Sequence, residues 1–202
     1  MQIKRIKDLN ELDRFRKLTN KYIHVLFPMD YLAKSRVFGC YDSWQRLCGG
    51  FVLVMKGPFR VLESIPSHIE KHQDLDLDKA CEVTGLWFSP AAKDRSKSIV
   101  FWLRLYLEII KTQKKFLVYA FSMSKPQIGK MYEPAKPVRL FEGQTNILPG
   151  MEDYDNEVVE FIKRKDLLFF PLKSPDFLFK RVKHNLGHKI RRARLYFKKQ
   201  YA

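Results

Sequence analysis

The stretch that decides the fold runs through residues 81–143. It reads EVTGLWFS at 82–89, RSKSIVFWLRLYLEIIK at 95–111, FLVYAF at 116–121 and KPQIGKMY at 125–132. The first piece is strand-like and is closed by Pro90. In the second, Ile99, Trp102, Leu103, Tyr106, Leu107 and Ile110 recur every three or four residues, the spacing of one helical face. The third is nearly all apolar, as a strand covered on both faces must be. The fourth reads as a short helix stopped by Pro134. Strand, long helix, buried strand and short helix in succession predict an α/β domain.

Working outward, residues 2–6 form a short alternating strand, and 8–22 follow with Leu9, Leu12, Phe15, Leu18 and Ile23 at helical spacing. Pro28 ends that stretch or begins a second short helix. Residues 36–41 and 46–55 read as an antiparallel hairpin across Asp42, Ser43, Trp44 and Gln45. Gly49 and Gly50 inside its second arm mark a bulge or a close backbone approach. A third short strand is expected at 59–63. Residues 67–79, with Asp74, Asp76 and Asp78, read as a loop or exposed helix placed to flank a substrate. Residues 138–142 and 157–163 are strands that can pair with each other. From Ser174, Phe179, Val182, Leu186, Ile190, Ala193 and Phe197 recur at three or four residues, which predicts a basic amphipathic helix. The organisation expected is one domain over 1–172 and a helix over 173–202 packed on it or extending from it.

At 202 residues, 46% of them hydrophobic, with nine Gly and ten Pro, the chain has enough apolar material for one core and too little punctuation for disorder. The net charge is +16. Residues 173–202 carry ten basic side chains against a single acid, Asp176. An acidic partner would therefore meet this end, with Lys180, Arg181, Arg191, Arg192 and Arg194 as contacts. A carrier protein, a precursor peptide, nucleic acid and an anionic membrane surface all satisfy that charge; a solvated basic face without a dedicated partner is the plain alternative. Cys40, Cys48 and Cys81 are an odd number without a CxxC pair, which argues against a disulfide framework and for a reducing, cytoplasmic setting. The first five residues lack an apolar signal core, and the richest apolar run, 99–110, is broken by Arg104 and Glu108, so neither a signal peptide nor a membrane span is expected. His184 and His188 stand at i and i+4 with no evident third ligand, so no metal is expected.

The block 81–143 resembles the core of the acyl-CoA N-acyltransferase (GNAT) superfamily: a strand, a phosphate-binding turn, a long helix, a strand, and a short helix closing on a Tyr. The resemblance covers under a third of the chain. It implies a GNAT-like mixed, largely antiparallel central sheet flanked by helices. It also implies transfer of an acyl group from a coenzyme A or acyl-carrier-protein thioester to an amine of a peptide or small molecule. The family's Arg/Gln-x-x-Gly-x-Gly/Ala turn, whose backbone N–H groups hold the pyrophosphate at a helix N-terminus, corresponds here to Lys93, Asp94, Arg95, Ser96, Lys97 and Ser98. Ser96 and Ser98 stand where the family has glycine; Lys93, Arg95 and Lys97 supply positive charge and the serines supply donors. A solvated helix start capped by Asp94 or Ser96 accounts for the same residues.

Carried over residue by residue, the resemblance makes Glu82 the strand carboxylate that takes a proton from the attacking amine, its pKa raised by partial burial. The alternative is an ordinary edge-strand Glu. Tyr132 falls where many members keep a Tyr that protonates the departing thiolate; the alternative is a packed aromatic. Leu86, Trp87 and Phe88 would form the splayed strand whose free N–H groups polarise the thioester carbonyl. The aromatic residues Trp87, Phe88, Phe101, Trp102 and Tyr106 either line an acyl chain or, more simply, pack the core. Cys81 beside Glu82 reads as a core thiol before it reads as a nucleophile.

A second resemblance is to the Mom-type phage DNA-modification proteins, a GNAT-like family acting on adenine. It rests on residues 82–87, on Gly129, Lys130, Met131 and Tyr132, and on Glu142 and Gly143. Tyr132 again falls on a functional Tyr, whereas the family's Asp and strand Arg correspond to Ser122 and Gly85. Tyr196, Phe197 and Tyr201 among the terminal bases would suit phosphate contact with base stacking. A GNAT-fold binding module without catalysis is a third possibility.

Overall fold

The computed structural model describes residues 1–69, 75–90 and 95–173. Lys93, Asp94 and the basic segment from Ser174 onward, including Lys180, Arg181, Arg191, Arg192 and Arg194, lie outside the described residues, and with them the phosphate-turn start and the partner contacts expected there.

Seven strands form one sheet: β1 (Gln2–Ile6), β2 (Arg36–Tyr41), β3 (Leu47–Val54), β4 (Ala80–Phe88), β5 (Phe116–Ser122), β6 (Val138–Gln144) and β7 (Asn156–Lys163), in the order β1-β2-β3-β4-β5-β7-β6. Among the described residues, only β4 and β5 pair in parallel. That pair is joined by the long helix α4 (Arg95–Lys111), the crossover that parallel strands require. The predicted alternation of strand, helix, strand and short helix is present, and α4 has the bounds that its periodicity indicated.

Helices cover both faces. On one, α1 (Leu9–Ile23) and α2 (Met29–Lys34) bury Leu12, Phe15 and Leu32. Asp8 caps α1 by accepting a hydrogen bond from the Glu11 N–H at 3.0 Å. On the other face, α4 contributes Phe101, Leu105 and Ile109, and α5 (Pro126–Tyr132) and α6 (Arg164–Lys173) pack beside it through Ile128, Tyr132 and Leu167. The glycines of β3 are close approaches: a Cβ at Gly50 would stand 2.5 Å from the Phe15 ring and 2.4 Å from the Phe38 carbonyl oxygen. Helix α1 sits this near the sheet because Gly50 has no side chain.

Three features depart from the sequence reading. Residues expected as a strand at 59–63 form a helical turn, α3 (Arg60–Glu63). Phe59, Val61 and Leu62 carry strand propensity, but β3 is already paired on both edges, by β2 and β4, so no ladder is open to them. Strand β7 pairs with β6 as expected, and on its other edge it also pairs along all of β5, from Phe116↔Lys163 to Ser122↔Glu157, which the sequence reading did not include. Helix α6 was not visible as a period because Leu167, Leu168, Phe169 and Phe170 are contiguous and Pro171 follows; it carries the chain past residue 172. Among the described residues no helix is long and apolar enough to cross a membrane.

Candidate functional site

The site is created by a failure of pairing. Strands β4 and β5 are hydrogen-bonded partners only over Ala80↔Phe116, Cys81↔Leu117 and Glu82↔Val118. Both continue, β4 to Phe88 and β5 to Ser122, without further pairs between them. The cause is local to β4. Gly85 adopts φ +57°, and the register with β3 slips between Val52↔Thr84 and Gly50↔Trp87. This bulge bends β4 away from β5. Any Cβ at Gly85 would also lie 2.8 Å from the Phe27 ring, so glycine is required twice over.

A cavity of about 240 Å³ occupies the gap. From the α4–α5 side it is lined by Val83, Leu86, Trp102, Ile128 and Tyr132, and from the α1–α3 side by Phe27, Arg60, Val61 and Thr84. The ends of β5 and β7 add Ser122, Asp155 and Glu157. One opening between two strands thus presents an apolar wall with a phenol on one side and charged groups on the other.

Tyr132 closes α5 and packs its ring against Tyr119, with centroids 4.7 Å apart. Burial raises its pKa, so the phenol keeps its proton at every physiological pH. Glu157 faces Ser122 in the ladder and lines the cavity. Burial, then the nearby Asp155, pushes its carboxyl from 4.5 up to about 7. The sequence reading did not single out Glu157; its position on an alternating strand gave no sign that β7 ends at a cleft.

Glu82 is placed differently from the half-buried base expected of it. It is fully buried, with 0% exposure, and does not line the cavity. The Tyr31 hydroxyl donates to its Oε1 at 2.8 Å and the Val61 N–H to its Oε2 at 3.2 Å. Burial raises its pKa to about 7, against the opposing effect of these two hydrogen bonds and of Arg60. Glu82 therefore ties α2 and the start of α3 to the sheet directly behind the cavity wall. Tyr31→Phe is expected to leave one carboxyl oxygen buried without its donor. A loss of about 1–3 kcal/mol should appear as a lower urea midpoint, and an unchanged midpoint would show that Tyr31 does not hold Glu82.

Of Leu86, Trp87 and Phe88, only Leu86 lines the cavity. Trp87 stacks on Tyr22 at 5.0 Å, and Phe88 meets Phe101 edge-on at 4.2 Å, so both belong to the core. Core packing, the simpler of the two readings for these aromatic side chains, is what the contacts show; the role expected of residues 86–88 at the thioester carbonyl belongs to their backbone N–H groups. Of the aromatic residues at 87, 88, 101, 102 and 106, it is Trp102 that lines the cavity. Arg95, Ser96, Lys97 and Ser98 occupy the first turn of α4, in the connection that leaves β4. Cys81 is buried, and its thiol is pushed up to about 11 by burial, which leaves it protonated and inert. Among the described residues no cluster of His, Cys, Asp and Glu could hold a metal ion.

Solved structures share this fold. The chain is similar to the spermidine/spermine N-acetyltransferase SpeG of Vibrio cholerae, with a TM-score of 0.54 and 12% identity over 83% of this chain and 95% of that one. It is similar to FeeM, an N-acyl amino acid synthase from uncultured soil microbes, with a TM-score of 0.57 and 10% identity over 82% and 92%. The chain has the GNAT fold. A probable acetyltransferase from Staphylococcus epidermidis shares it too, with a TM-score of 0.54 and 11% identity over 80% of this chain and 98% of that one. No protein-family model and no curated protein matches the sequence, so the GNAT fold is recognised here through three-dimensional structure.

Proposed function

We propose that the protein is an N-acyltransferase that moves an acyl group from a coenzyme A or carrier-protein thioester to an amine. The observation that carries this reading is the parting of β4 and β5 beyond Glu82 and Val118, with a cavity between them that joins a protonated phenol to a carboxyl near neutrality. It is supported by the likeness to SpeG and FeeM, whose names describe transfer of acyl groups to nitrogen.

In this reading the donor enters from the α4–α5 side, its acyl group against Leu86 and Trp102. The positive end of α4, with Lys93, Arg95, Ser96, Lys97 and Ser98, attracts the phosphates. Backbone N–H groups on the unpaired inner edge of β4 polarise the thioester carbonyl. The amine arrives from the α1–α3 side. Its nitrogen attacks the carbonyl carbon, the N–C bond forms, and the nitrogen loses a proton to the Glu157 carboxylate. As the C–S bond breaks, the Tyr132 hydroxyl gives its proton to the leaving sulfur, and solvent returns the proton balance between the two groups. Glu157 takes this part because it reaches the cavity, whereas both oxygens of Glu82 are occupied; Glu82 holds the wall in place.

The test pairs binding with chemistry. Acetyl-CoA and a longer acyl-CoA should raise the melting temperature of the full chain, since a ligand at 100 times its Kd adds about 2.7 kcal/mol. Adding an amine should release free thiol. Stabilisation by a DNA duplex alone, lost steeply with salt, would favour the adenine-modifying alternative instead. No response to thioester or DNA would leave a GNAT-fold binding module.

A further inference from the structure

Arg60 is a buried charged group that the chemistry above does not use. It is only 8% exposed, yet it lines the cavity. Its guanidinium lies over two aromatic rings, 5.4 Å from the Phe27 ring centre and 5.7 Å from that of Tyr31. Among the described residues no carboxylate stands within ion-pair distance of it. Glu82 and Glu63 act on it only through space, and Glu82 is itself near half-charged at neutral pH. A guanidinium this buried is ordinarily paired, because desolvation of an uncompensated charge is costly.

The other charged groups facing the cavity are Lys125, Asp155 and Glu157. Lys125 is exposed and solvated. Asp155 and Glu157 repel an anion and suit an amine. The cavity therefore carries groups of both signs: Arg60 suits an anion, and Asp155 and Glu157 suit an amine. Ile23, Val25 and Phe27 add apolar lining to the same cavity. The volume of about 240 Å³ falls below the roughly 300–1,000 Å³ of sites for drug-sized ligands, so the group taken is small.

We propose that Arg60 binds the carboxylate of the acceptor, and that the acceptor is a free amino acid, acylated on its amine. A planar guanidinium recognises a carboxylate through two parallel N–H···O bonds, which an ammonium does not reproduce. An amide or a plain amine leaves Arg60 buried and unpaired, and that penalty is the source of selectivity. The inference rests on the acyltransferase reading and names its substrate class.

The experiment compares L-leucine, L-leucinamide and isoamylamine as acceptors with acetyl-CoA or a longer acyl-CoA, in the native chain and in Arg60→Met and Arg60→Lys. The native chain should prefer leucine over both other amines by at least thirtyfold in kcat/KM. Arg60→Met should collapse that preference toward one, and Arg60→Lys, which keeps the charge, should retain part of it. Calorimetric binding of L-leucine without donor should follow the same order, which keeps the inference open to test if a variant turns over slowly. Equal use of leucine and isoamylamine by the native chain, or a preference that Arg60→Met leaves intact, overturns the carboxylate role while the transferase reading stands. Binding of leucine that depends on Arg60 without transfer to any amine supports the anion site and overturns the transferase reading. Absence of both overturns the two together.

Discussion

Glu157→Gln is expected to lower amine-dependent thiol release at least a hundredfold at pH 8, within the range of about 10²–10⁴ that a positioned base contributes. The amide keeps the size of the carboxyl and removes its capacity to take a proton. The native rate should rise with pH through about 7, where Glu157 ionises, and the variant should lose that limb of the profile. A native profile without the limb, or a variant that retains it, would remove Glu157 as the base. The same shift bears on stability with the opposite sign. Glu82 and Glu157 hold their protons more tightly folded than unfolded, each raised from 4.5 to about 7. Their contribution to stability is therefore fully present below about pH 4.5 and is lost as pH rises through about 7. Glu157→Gln should flatten part of that slope in urea titrations, independently of any activity.

Tyr132→Phe should leave the melting temperature nearly unchanged and lower transfer at least tenfold, equivalent to about 1.4 kcal/mol of barrier. The ring contact with Tyr119 survives the substitution, so the effect isolates the hydroxyl proton. The loss should shrink with donors whose thiol is a better leaving group, because such a sulfur needs less help from an acid. Equal turnover by the variant at every pH and with every donor would reduce Tyr132 to a packed aromatic.

Much of this architecture was legible because its residues announce a period or a boundary. The apolar spacing of 95–111 set the bounds of α4, the continuous apolar run at 116–121 marked β5 as an inner strand, and Pro134 stopped the short helix that ends at Tyr132. Gly85 was visible only as a residue, and its consequence was not. A glycine within a strand pattern signals a bulge, but the direction of the bend depends on Phe27 packing beneath it. Glu157 and Arg60 escaped notice for a related reason. Each lies on an element whose partner comes from far along the chain: β7 enters between β5 and β6, and α3 closes over Glu82.

Local sequence determined which segments become helix or strand and brought Tyr132 to the end of its helix, since periodicity and capping act over a few residues. Only the tertiary structure decided which carboxyl meets the cleft. The raised pKa values of Glu82 and Glu157 are much alike, because desolvation dominates both, yet one is tied to Tyr31 and Val61 behind the wall and the other opens into the gap. Burial and the direction a side chain faces are properties of the assembled sheet, and no spacing along the chain encodes them.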